Sequence, residues 1–66
     1  MNAQAKYNEN RTEIETLMTR LKAAMESHQR AFDNDNGNWG LVGDLGMVKS
    51  ELAKLEGFII SAGVKP

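Results

Sequence analysis

Residues 8–32 contain no glycine and no proline, and apolar side chains recur through them at helical spacing. Tyr7, Ile14, Leu21 and His28 return every seven positions. Leu17, Ala24 and Ala31 fall between them, and Met18, Met25 and Phe32 widen the stripe by one column. A three-in-seven pattern held for more than three heptads is the face of a core-packing α-helix. The segment is also rich in Glu, Arg, Lys, Ala, Leu and Met, which lose little on entering a helix. A first helix is therefore expected over about 8–32. Asn8 or Asn10 is its expected N-cap, with Glu13 in capping-box position behind Asn10.

The stripe stops at Asp33-Asn34-Asp35-Asn36-Gly37-Asn38. Asx side chains compete for backbone hydrogen bonds and glycine accepts positive φ, so such a run favours a turn. A loop is expected over 33–38. Beyond it, Leu45, Val48, Leu52, Leu55, Ile59 and Ala62 again share one side of a helix. Two starts fit this second helix, one capped by Asp44 and one by Asn38. The earlier start is favoured, because Trp39, Val42 and Gly46 already fall at helical spacing, and it gives a helix over about 38–62. Its cost is helical glycine at positions 40, 43 and 46, about 0.8–1 kcal/mol each relative to alanine. The alternative is a structured loop over 39–46. Gly63 suits a left-handed C-cap, and Lys65-Pro66 ends the run.

Two helices and one break describe an all-α, two-helix antiparallel hairpin, with residues 1–66 as a single domain. At 66 residues the chain is small, and chains of that size bury only about 60% of the surface exposed when unfolded. Small folds add disulfides, a metal or a partner subunit. The chain has no cysteine and one histidine, which removes disulfides, thiolate sites and multi-histidine zinc sites within one chain. A partner subunit is left. Met47, Phe58 and Ile60 lie outside the main stripe of helix 2, a surplus that a second chain would cover. Self-association into a helical bundle, as a homodimer, is the expectation.

Eight Lys and Arg stand against nine Asp and Glu, a net charge of −1. A general nucleic-acid binder carries basic excess and a DNA mimic acidic excess, and this chain has neither. No apolar run approaches the roughly 18 residues of a membrane span. Met-Asn-Ala-Gln-Ala-Lys leads into no apolar stretch, so no signal peptide is expected. These features and the lack of cysteine agree with a cytoplasmic protein without membrane partners.

Catalytic and metal chemistry find little support. An EF-hand register beginning at Asp33 puts Asp35 at the third ligand position and Asp44 at the last. It also puts Gly37 where an oxygen ligand belongs and Asn38 where the turn glycine belongs, so no metal is expected. His28 shares a column with Ile14 and Leu21, the place of a hydrogen-bonded core residue. No serine sits in a nucleophile elbow, and Gly40-x-x-Gly43-x-x-Gly46 lacks the Lys-Ser or Lys-Thr of a phosphate loop. Glu13, Glu15 and Asp44 would be paired only by assembly. No enzyme activity and no cofactor are expected.

Two surfaces remain. Lys6, Arg11, Arg20, Lys22 and Arg30 are interleaved with Glu9, Glu13, Glu15 and Glu26, with Glu26 and Arg30 at favourable spacing. This reads as a solvated helix face. Its functional alternative is an anionic-ligand site, for a nucleotide or RNA phosphate, built from Tyr7, Arg11 and Lys22 across subunits. The other surface is the loop end, where Asp35, Asn38, Trp39, Val42 and Asp44 are the candidate partner-binding residues. Trp39, the sole tryptophan, is read either as a plug over the end of a small bundle or as a binding hot spot.

The pattern Asn38-Trp39-Gly40-x-Val42-Gly43-Asp44-Leu45, followed by an amphipathic helix with Phe58-Ile59, resembles small uncharacterised helical-hairpin proteins of phages and mobile elements. The resemblance covers residues 38–60. It implies a non-enzymatic modulator or inhibitor of a host protein complex, such as CRISPR–Cas or another defence system. In architecture the chain also resembles plasmid copy-number regulators, dimers of similar-sized hairpins that bind RNA. Fold likeness of that kind does not carry function.

Overall fold

A computed structural model describes residues 2–63. Among them the chain is all-α, with two helices, α1 (Ala3–Asn34) and α2 (Trp39–Ser61), and no strand. The chain divides into two units, one ending at Asp35 and the other beginning at Asn36. Each unit holds one helix.

Helix α1 runs for 32 residues, roughly 48 Å at 1.5 Å per residue. It starts upstream of the expected position. Asn2, not Asn8 or Asn10, is the N-cap: its backbone is extended, and its Oδ1 accepts from the backbone N–H of Gln4 at 3.0 Å and of Ala5 at 3.2 Å. Ala3-Gln4-Ala5-Lys6 then continues as helix because each is a good helix former. The far end also outruns the expected loop. Asp33 and Asn34 are helical, and Gln29 Nε2 donates to Asp33 Oδ1 at 2.9 Å. That bond across one turn satisfies a carboxylate otherwise placed against the negative end of the helix dipole. The turn is therefore 35–38.

Charged side chains pair along the surface of α1. Lys6 reaches Glu9 at 3.4 Å and Arg11 reaches Glu15 at 3.5 Å. Such exposed pairs contribute at most about 1 kcal/mol and are screened by salt. The expected Glu26–Arg30 pair is not made, and Arg30 Nη2 donates to Ser27 Oγ at 3.1 Å instead. Leu21, His28 and Phe32 are half-buried, and the rest of the stripe is exposed.

Helix α2 takes the earlier of its two possible starts. Asn38 is the N-cap, and Asp44 lies inside the helix. The C-cap is Ala62, whose N–H donates to Phe58 O at 3.0 Å. Gly63 follows at φ 125°, the left-handed conformation expected of it, which a residue with a Cβ adopts only at a cost. Lys65-Pro66 lies outside the described residues.

Leu41 joins the main stripe of α2, together with Leu45, Val48, Leu52, Leu55 and Ile59. Met47 and Phe58 flank it on one side, and Val42 and Ile60 on the other. At 100° per residue these positions sweep about 220° of the helix. One packed neighbour takes a stripe of roughly 100°, so α2 has apolar surface for two. None of the described residues is buried. Even Leu52, at the centre of the stripe, is 47% exposed, and Phe58 is 69% exposed.

The glycines inside α2 give a direct prediction. A Cβ built at Gly46 or Gly57 meets nothing within 4 Å. Gly46→Ala and Gly57→Ala should each stabilise the helix by about 0.5–1 kcal/mol, read as a higher melting temperature. Loss of stability at either site would mean that a packed neighbour lies against that glycine.

Candidate functional site

The proposed partner-binding residues fall on two units. Asp35 is the C-cap of α1, and its backbone N–H donates to Phe32 O at 3.0 Å. Asn38, Trp39, Val42 and Asp44 belong to the start of α2.

The start of α2 is held by its cap. Asn38 is extended at φ −85° and ψ 100°, and its Oδ1 accepts from the Gly40 N–H at 2.9 Å. Leu41 N–H closes the first turn on Asn38 O at 3.1 Å. A Cβ at Gly40 would lie 3.0 Å from that same Oδ1. Glycine at position 40 thus lets the cap oxygen come close, a reason that applies to none of the other helical glycines. Asn38→Ala should cost about 0.5–2 kcal/mol through the lost cap. Thermal melting followed by circular dichroism measures it, and an unchanged melting temperature would show that the cap carries no stability.

This cap places Trp39 at the first helical position, where it is 81% exposed. Val42 is one turn further on and also exposed. At 100° per residue, Trp39 projects from the side of α2 away from the Leu52 stripe. A surface tryptophan on a capped helix end is a large, rigid contact with little conformational entropy to lose on binding.

The residues of the anionic-ligand reading lie on α1. Tyr7 and Arg11 are one turn apart and share a face. Lys22 lies on the same side but roughly 16 Å further along the axis, so one chain does not gather the three. Arg11 is also engaged with Glu15. Among the described residues no group of three or more His, Asp or Glu could hold a metal ion, and no helix is long and apolar enough to cross a membrane.

One pair was not singled out by the sequence reading. Lys49 and Glu56 stand seven residues apart along one edge of α2. The signal for them was the heptad itself: both occupy the flanking position beside the Leu45–Leu52 column. Comparison with known proteins gives no assignment, as no family model, no curated protein and no solved structure matches this chain.

Proposed function

We propose that this chain is a non-enzymatic interaction protein that works as a self-associated helical assembly, a dimer, and modulates or inhibits a host protein complex in the cytoplasm. The observation that carries the reading is the exposed indole of Trp39 on the capped start of α2. The helix flanks offer mixed charge that nearly cancels and leave a partner little to read. The start of α2 offers an aromatic, a valine and glycines that let a partner backbone approach. Support for a non-catalytic role comes from the residue set: no cysteine, a single histidine and no nucleophile motif. The resemblance of residues 38–60 to hairpin proteins of phages and mobile elements supports a defence complex, such as CRISPR–Cas, as the target.

Affinity capture from host lysate tests this reading, using the wild-type chain and Trp39→Ala in parallel, each with and without nuclease. The expected result is a protein partner that survives nuclease and is lost from Trp39→Ala. A partner that vanishes with nuclease, and whose binding falls steeply with salt, would overturn the reading in favour of RNA or nucleotide binding through Tyr7, Arg11 and Lys22. Salt separates the two because each neutralised phosphate releases counterions.

A further inference from the structure

We propose that α2 carries a self-complementary seam on which α2 of a second copy docks antiparallel, with Lys49 of each copy facing Glu56 of the other. The proposal rests on the reading of the chain as a self-associating protein and names the surface that does it.

At 100° per residue, Leu45, Lys49, Leu52, Ala53, Glu56 and Ile60 lie along one edge of α2. A two-fold axis passing between Leu52 and Ala53 sets Lys49 opposite Glu56 of the second copy near the midline, with Leu45 level with Ile60 and Leu52 level with Ala53. Symmetry repeats every pair, as a closed two-fold contact requires. The apolar pairs fall at the ends and centre, and the two charge pairs fall between them. Leu45, Leu52 and Ile60 are all exposed, and the seam covers them.

The charges select both the edge and the direction. Among the described residues Glu51 and Lys54 are paired with each other at 3.3 Å, whereas Lys49 and Glu56 have no ion-pair partner. On the same edge a parallel, in-register pair would set each midline residue against its own copy. That places Lys49 against Lys49 and Glu56 against Glu56, two repulsions and no attraction. The antiparallel seam makes two attractive contacts and no repulsive one, so the charges favour that orientation over the parallel one.

Sedimentation analysis of wild type, K49E, E56K, the K49E/E56K double variant and an equimolar mixture of the two single variants tests the seam. Each single variant sets like charges together at both symmetric contacts, so its dimer dissociation constant should rise about tenfold. The double variant restores opposite charges and should return to the wild-type value. The mixture should form heterodimers tighter than either homodimer, a gain that loss of fold in a single variant would not produce. Single variants that dimerise like wild type, or a mixture that forms no preferred heterodimer, would overturn the seam and leave self-association standing. A wild-type chain that stays monomeric would overturn self-association itself, and the seam with it.

Discussion

Leu52→Ala should destabilise the assembled protein by about 2–5 kcal/mol, the cost of emptying a packed core position. Within the single chain Leu52 is 47% exposed. A leucine that stays half in water loses much less on truncation, because the transfer term scales with the apolar area removed from water. The size of the loss therefore reports whether the stripe is covered, and its dependence on concentration whether a second molecule covers it. Denaturant unfolding at high and low protein concentration measures it. The full loss is expected where the assembly is populated, with a smaller one at dilutions where it dissociates. Leu21→Ala, at a half-buried position of α1, should behave in the same way. A loss for Leu52→Ala below about 1 kcal/mol at every concentration would mean that nothing covers the stripe.

Trp39→Ala carries the second large effect. Binding to the captured partner should weaken by about 2 kcal/mol or more, roughly thirtyfold, while helicity and melting temperature hold. The helix start survives the change because the bond from Gly40 N–H to Asn38 Oδ1 does not involve the indole. A fall in stability of about 3–5 kcal/mol would instead place Trp39 inside the assembly as a plug. Unchanged stability and unchanged binding would remove this end of α2, and the exposed Phe58 and Ile60 would be the next surface to test.

The sequence made the two helices legible because each has an unbroken apolar stripe and the Asx-Gly run interrupts only between them. The start of α1 was misplaced because Ala3 to Lys6 contribute nothing to the stripe, while Asn2 as cap depends on a backbone conformation that no spacing reveals. Asp33 and Asn34 read as turn residues by preference, but the bond from Gln29 to Asp33 keeps them helical. Asn38 as cap and Gly63 at positive φ were both read correctly, since each residue type has a specific reason to stand at a helix end. The exposure of Trp39 was within reach of the sequence once its helix start was known. Its angle from the Leu52 stripe puts it on the far side. Lys49 and Glu56 are not legible in the sequence as partners, because each looks like any other surface charge until the two-fold relation between them is drawn.

Self-association is the central claim, and sedimentation equilibrium combined with thermal melting over about a hundredfold range of concentration tests it most directly. The account predicts a species of twice the 7.3 kDa chain mass, with a melting temperature that rises with concentration. A particle of 7.3 kDa throughout, with a melting temperature independent of concentration, would contradict it.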